Sequence, residues 1–354
     1  MKYREMRNDI HIREIQDSDY DRIADFNSTF PGDHSSSDEW KKLINYWWDQ
    51  NPAYFKGYPR GVVALKDNKI IGFNGNFPTR MLWSGKEIVV TNRTTWRVLP
   101  EYRRISLDIS YKNDKLTHGH VIFVMSAIGP IRKLLKVLKW SQFTCADDWY
   151  FYLGNSRYLS KSKIIHIIAS FQKILVVALN SFLMILPKQV LIRADDKNTM
   201  LKEVDNLWSL HKDEFQFTNV RDSRYLNWMS KSKTIYYIYY KNEMKGFIIL
   251  NTNDQRKSVM LVDYWCPDIA NYAKPILNFL LRNYKNYNLV IPSYNKKFRK
   301  AAMSCLLIKR KMQHLGFIHF GNEKPIKYDR SFLTMLQGNS QLAFTDKQKF
   351  CIHD

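Results

Sequence analysis

The stretch Trp96-Arg97-Val98-Leu99-Pro100-Glu101-Tyr102-Arg103-Arg104-Ile105-Ser106-Leu107 decides how this 354-residue chain is read. Thr94–Leu99 alternates as a β run, and Pro100, which has no N–H to give a sheet ladder, ends it. Ser106 suits a helix start, and residues 106–116 return to helical spacing. The segment is therefore a strand, a turn bearing the adjacent cations Arg103 and Arg104, and a helix.

Outward from it, the N-terminal half alternates strands and helices. Ile10–Ile15 reads as a short strand, Asp17-Ser18-Asp19 as a cap, and Tyr20–Phe26 as the helix it opens. Trp40, Leu43, Ile44 and Trp47 have helical spacing. Gly61–Lys66 and Lys69–Phe77 are apolar runs joined by Asp67-Asn68, a hairpin signal. Lys86–Thr91 precedes the quoted strand, and a strand at Val121–Met125 and a helix at Ile128–Leu138 follow the quoted helix. The C-terminal half repeats the order. It has a helix at Thr199–His211, a hairpin around Lys241-Asn242, a strand at Ser258–Trp265, a helix at Ala270–Asn283, a strand at Asn288–Ile291 and a basic helix at Ala301–His314. The repeat lies in element order, because residue identity between the halves is low.

This order, with the quoted motif, resembles the GNAT acyl-CoA N-acyltransferases. That family's cofactor motif is a strand ending Val-x-Pro-x-Tyr-Arg, followed by Q/R-x-x-G-x-G/A at a helix start. Arg103 falls on the Q/R position, Ser106 on the first Gly and Asp108 on the last Gly/Ala. A carboxylate at Asp108 repels a pyrophosphate unless it turns away or pairs with Arg103 or Arg104. The Trp-x-Val-x-Pro strand and Ser106 resemble a branch similar to bacterial surface-polysaccharide acyltransferases. Leu315-Gly316-Phe317 resembles the family's closing L-G-F, and Arg221–Trp228 resembles a segment of two-domain members. The turn after Asp263–Pro267 lacks the glycine series.

The resemblance implies an α/β (α+β) chain of two tandem GNAT-like domains, each a mixed central sheet flanked by helices, joined by an apolar helix. The expected divisions are 1–150, a linker 151–194, a second domain 195–338 and a tail 339–354. Acetyl-CoA or another acyl-CoA is the implied co-substrate, held by Val98, Leu99, Arg103, Arg104, Ser106 and Leu107. Unpaired N–H groups and the dipole at a helix start favour its pyrophosphate.

Acyl transfer needs a group to deprotonate the nucleophile and another to protonate the leaving thiolate. The family's usual acid, a Tyr three residues before the L-G-F, is replaced by Met312, and the matching position in the first half is Leu135. Tyr102 and Ser126 are the candidate substitutes, each also readable as a packed ring or a helix cap. Asp147-Asp148 reads as a carboxylate pair in a loop. His118 and His120 form an HxH with no third ligand nearby, so no metal site is assigned. Tyr236, Tyr237, Tyr239 and Tyr240 fit a packed strand better than a base-stacking surface.

Charge narrows the partners. The 55 basic and 33 acidic residues give +22, and residues 269–330 hold 13 basic against two acidic ones. Such an excess suits an anionic or lipid-linked glycan acceptor, a membrane surface, or solubility alone. Nucleic acid enters only in an alternative similar to the Fem aminoacyl-tRNA-dependent transferases. A further alternative is a non-catalytic GNAT-shaped protein that binds a membrane or partner. Ile164–Leu186 is apolar but carries Lys173, and reads as an interdomain helix, an interfacial helix or a span. Four scattered cysteines and a charged N-terminus point to a cytoplasmic protein, with peripheral contact at the inner membrane face as an option.

Overall fold

The computed structural model describes residues 9–125, 127, 129–155, 163–183, 190–193, 197–292, 296–325 and 331–332. The chain forms two units, divided between Phe143 and Thr144 and again between Leu315 and Gly316.

Unit 1 contains β1 (Ile10–Glu14), α1 (Tyr20–Ser28), α2 (Ser37–Trp47), β2 (Gly61–Lys66), β3 (Lys69–Trp83), β4 (Lys86–Val98), α3 (Ser106–Leu116), β5 (Ile122–Val124) and α4 (Gly129–Val137). Asp67 and Asn68 both have positive φ, +48° and +58°, as a tight hairpin with the right-handed strand twist requires. The Asp17–Asp19 segment is a short 3-10 turn, and Asp19 is not a simple cap. Its buried carboxylate accepts from Arg13 at 2.6 and 2.8 Å and from the Gln16 N–H at 2.9 Å. Ser36 and Glu39 form a capping box at α2.

Strands β1 to β4 are antiparallel neighbours, and β5 lies parallel to β4. Strand β3 runs past the expected end at Phe77, through Pro78, to Trp83. The two runs 86–91 and 94–99 are one strand. Helix α3 sits close on the sheet at Gly72, where an added Cβ would lie 2.6 Å from Ile109 Cδ1. Around this contact Val62, Ala64, Ile71, Val98, Ile105 and Ile109 form a core.

Unit 2 takes up β6 (Ser141–Leu153) from Thr144 and continues with α5 (Lys163–Leu183), β7 (Val190–Arg193), α6 (Lys197–His211), β8 (Phe217–Asn219), α7 (Ser223–Met229), β9 (Thr234–Tyr240), β10 (Glu243–Asn253), β11 (Ser258–Trp265), α8 (Ile269–Asn283), β12 (Asn288–Pro292) and α9 (Lys296–Ser304). Strand β13 (Ile308–His319) passes from unit 2 into unit 1, and β14 (Ser331–Phe332) pairs with β8. The sheet of unit 2 runs β6–β12–β11–β10–β9–β7, with β11 and β12 parallel and the other pairs antiparallel. The β9 tyrosines pack: Tyr237 and Tyr239 are buried, and the Tyr236 and Tyr284 hydroxyls meet at 2.9 Å.

Several expectations are corrected. Residues 301–314 are not one helix, because α9 ends at Ser304 and β13 begins at Ile308. The edge of β5 requires a partner, and Phe317, Ile318 and His319 supply it antiparallel to Val124, Phe123 and Ile122. Pairing demand here overrides the helical look of the sequence. The units are therefore not consecutive segments, since unit 1 regains the chain from Gly316. Within the expected linker 151–194, α5 packs as part of unit 2, where Gln172 donates to Phe151 O and Leu306 O and accepts from Leu153 N–H, each at 3.0 Å. Asp147 and Asp148 lie on β6 and not in a loop. The tail 339–354 lies outside the described residues.

The Arg221–Trp228 signature has a structural role. Asp222 caps α7 by accepting from the Tyr225 N–H at 3.0 Å. Arg221 and Asp263 form an ion pair in which both side chains are fully buried. Asp263 also accepts from the Tyr225 hydroxyl at 2.7 Å, and Arg221 lies over the Trp265 ring. Removing one partner strands the other charge in the core. Arg221→Met is expected to cost about 3–5 kcal/mol of stability, whereas Arg221→Met/Asp263→Leu costs less than the single change. Urea unfolding of both variants checks this, and a single variant as stable as the parent would refute it.

Candidate functional site

Two strands that begin together and then part define the site in unit 1. Strands β4 and β5 pair at Thr91–Ile122 and Asn92–Phe123, and there the pairing stops. Among the described strands, only β3 pairs with β4 from there to Val98. The six further residues extend about 20 Å at roughly 3.3 Å each. Along this length no described strand pairs with the edge of β4 that faces away from β3.

A β-bulge lies within the opening. Asn74 faces Trp96 and Gly75 faces Thr94, so Thr95 is the extra residue, with φ +46°. A β-branched residue in the left-handed region is strained by about 1–3 kcal/mol, and such strain collects at functional sites. Unit 2 has the same device. Strand β11 parts from β12 after Met260–Val290, and Val262 is the extra residue between Leu261 and Asp263. In both units a proline follows the bulge five positions on, Pro100 after Thr95 and Pro267 after Val262.

The turns beyond the two bulges differ. In unit 1, Val98 is buried at the end of β4, and Leu99 N–H donates to Ile71 O at 2.9 Å. Pro100–Ile105 forms a 3-10 helix rather than an open loop, and α3 starts at Ser106 without a side-chain cap. Arg103, Arg104 and Leu107 are exposed, while Ser106 and Asp108 are half-buried. The Tyr102 ring packs on the Val98–Ile109 core, and the Lys66 ammonium lies 5.6 Å from its centroid. Lys66 thus adds a third cation near the turn, 37 residues before Arg103 in sequence. In unit 2, Asp268 sits at the N-cap of α8 and accepts from Asn271 Nδ2 at 2.6 Å. A carboxylate occupies the end of the helix that an anion would otherwise favour. Burial pushes the neighbouring Cys266 thiol up, away from thiolate chemistry.

At the root of the opening lies a polar cluster. Thr91 Oγ1 is 2.7 Å from the Tyr58 hydroxyl and 3.0 Å from His120 Nδ1. Burial, and then the charge of Arg93, hold the His120 pKa below its ordinary value. Arg93 donates to Asn76 Oδ1 at 2.9 Å, Asp114 Oδ1 at 2.6 Å and Thr117 Oγ1 at 3.0 Å. Burial pushes its guanidinium down to about 10, so it remains charged at neutral pH. Asn92 gives its amide N–H groups to Thr79 Oγ1 and Phe77 O, while its buried Oδ1 meets no donor in the protein.

Of the sequence-derived candidates, Val98, Leu99, Tyr102, Arg103, Arg104, Ser106 and Leu107 cluster at the turn. Ser126 lies outside the described residues. Leu135 is buried with Ala127 and Phe317, and Met312 is on β13. His118 is exposed, and no three potential metal ligands gather among the described residues. Sequence reading missed Tyr58, Thr91, Asn92 and Arg93. Their partners lie tens of residues apart, and His120 stands out in the sequence only as part of an HxH to which no metal site is assigned.

No family model matches the chain, and no curated protein matches it. Solved structures do. Saccharomyces cerevisiae N-myristoyltransferase with bound myristoyl-CoA aligns at TM-score 0.55 and 11% identity, covering 94% of this chain and 84% of that one. A GCN5-related N-acetyltransferase from Kribbella flavida aligns at TM-score 0.53 and 11% identity, covering 89% and 72%. A probable N-acyltransferase from Enterococcus faecalis aligns at TM-score 0.52 and 9% identity, covering 88% and 73%. At these identities the likeness is one of fold. This chain has the fold of the GNAT acyltransferases, with its mixed sheets flanked by helices in two lobes.

Proposed function

We propose that this protein is an acyl-CoA-dependent N-acyltransferase whose co-substrate lies in unit 1. The observation that carries the reading is the parting of β4 from β5 after Asn92, with β4 running on to a turn with Arg103, Arg104 and Lys66. In this reading the phosphates of the coenzyme meet the turn and the start of α3. The pantetheine arm hydrogen-bonds along β4, and its thioester reaches the bulge at Thr95. Acetyl-CoA and longer acyl-CoAs are both candidates, and the bound myristoyl-CoA of the yeast structure favours testing long chains. The acceptor is an amine, proposed as an amino sugar of a surface polysaccharide on the strength of the Trp-x-Val-x-Pro motif.

The reaction joins the amine nitrogen to the thioester carbonyl carbon and breaks the C–S bond. One proton leaves the nitrogen and one reaches the thiolate. His120 is the proposed base. Its ring is held through Nδ1 beside Thr91, which leaves Nε2 outside that bond, and its lowered pKa keeps it unprotonated at neutral pH. Tyr102, at the far end of β4, serves the turn in this reading.

Isothermal titration calorimetry with acetyl-CoA, myristoyl-CoA and tRNA tests the co-substrate. Acyl-CoA should bind, and Arg103→Glu/Arg104→Glu should weaken it by at least about tenfold, as for loss of charge-assisted phosphate contacts. Absence of binding at every chain length sinks the reading, and salt-sensitive tRNA binding favours the aminoacyl-tRNA alternative.

The pH dependence tests His120. A free histidine titrates near about 6.5, so the acid limb of kcat/KM should fall below that value and disappear in His120→Ala. The same shift has a stability consequence. Below about pH 6.5 the unfolded chain takes up the proton more readily than the folded one, so folding weakens on acidification. An NMR titration of the His120 ring that centres above 6.5 contradicts both expectations.

A further inference from the structure

Helix α5 inverts the usual arrangement of a surface helix. Its buried side carries Ala169, Gln172 and Val176, and Gln172 is spent on three backbone groups of β6 and the 306 turn. Its outer side carries Ile167, Ile168, Phe171, Ile174 and Leu175, of which Ile167, Phe171 and Ile174 are 68, 63 and 67% exposed. At 100° per residue these five fall within an arc of roughly 120°, and half-buried His166 and Lys173 lie together beyond one side of it. Met303 and Leu306, also exposed, extend the apolar surface at the end of α9, where Leu306 O accepts from Gln172.

The elements that border α5 are basic. Lys173 Nζ lies 3.4 Å from Asn286 Oδ1, which joins the helix flank to the edge bearing Arg282 and Lys285. Lys296, Lys297 and Lys300 are exposed on α9. Residues 269–304 hold seven basic side chains and no acidic one, and α5 itself has no acidic residue. Among the described residues no helix is long and apolar enough to cross a membrane.

From this exposed apolar arc within a basic surround, we infer that α5 lies in the interface of an anionic lipid bilayer, with Phe171 and Ile174 entering the acyl boundary and the lysines of α9 meeting headgroup charge. A soluble anion or nucleic acid would use the lysines but leave the apolar arc in water. A lipid surface satisfies both, and the inference stands apart from the acyltransferase reading.

Co-sedimentation of the full chain with vesicles tests it. The protein should pellet with phosphatidylcholine vesicles containing phosphatidylglycerol and scarcely with pure phosphatidylcholine, and added salt should weaken the association. Phe171→Glu/Ile174→Glu should reduce binding by at least about tenfold, and Lys297→Glu/Lys300→Glu by roughly tenfold. All four positions are exposed, and a circular dichroism spectrum matching the parent's checks that each variant folds. Binding that survives Phe171→Glu/Ile174→Glu overturns the inference, as does failure to bind anionic vesicles. If the parent instead self-associates in sedimentation velocity and that variant does not, with no vesicle binding, the arc belongs to a second copy and the lipid assignment is overturned. Acyl-CoA calorimetry on the α5 variant should match the parent whichever result is obtained.

Discussion

The loss of backbone pairing between two parallel strands organises unit 1. A strand inside a sheet must satisfy its N–H and C=O groups, and β4 does so on one side with β3 along its length. On the other side β5 leaves after Phe123. The bulge at Thr95 adds twist and bends β4 just past that point. Helix α3 returns over Gly72, closing the core beneath the opening while its start faces the far end of β4. Tyr58, Thr91, His120 and Arg93 fill the root of the opening with hydrogen bonds, where an apolar core would give no chemistry. Fold and candidate site thus come from one departure from regular pairing.

Unit 2 reproduces that departure without the electrostatics. Its bulge, parted strands and proline match those of unit 1, but Asp268 stands at the helix start and Asp263 is committed to Arg221 and Tyr225. The polar side chain after the second bulge is therefore invested in holding α7 against the sheet. The same backbone geometry serves here as architecture, and most of the positive charge lies on this unit: its main segment, 144–315, holds 27 basic and 13 acidic residues.

Much of this was legible in local sequence. Asp67-Asn68 and Lys241-Asn242 marked both hairpins, and both pairs have positive φ. Ser106–Leu116 and Ser258–Trp265 have the expected bounds. What failed was non-local. Residues 308–319 look helical until β5 requires an edge partner, and no window around them contains β5. The run 86–98 looked like two strands because a bulge has no composition of its own. The base candidate was hidden for a similar reason, because Tyr58, Thr91 and His120 are brought together only by the sheet. Helix α5 was recognised as apolar, but which face it would bury depended on Gln172 finding backbone acceptors on β6 and after α9.

The passage of β13 from one unit to the other bears on how the chain comes off the ribosome. The strand that completes the β5 edge ends at His319, so most of the polypeptide must be made before unit 1 can close its sheet. Until then a short strand presents an open edge, the kind of surface that invites pairing with another nascent chain. A gene fragment ending at Phe143 encodes the whole turn at 99–107 and yet leaves that edge bare. Unit 1 is thus defined by its contacts and cannot be cut out as one continuous piece of sequence.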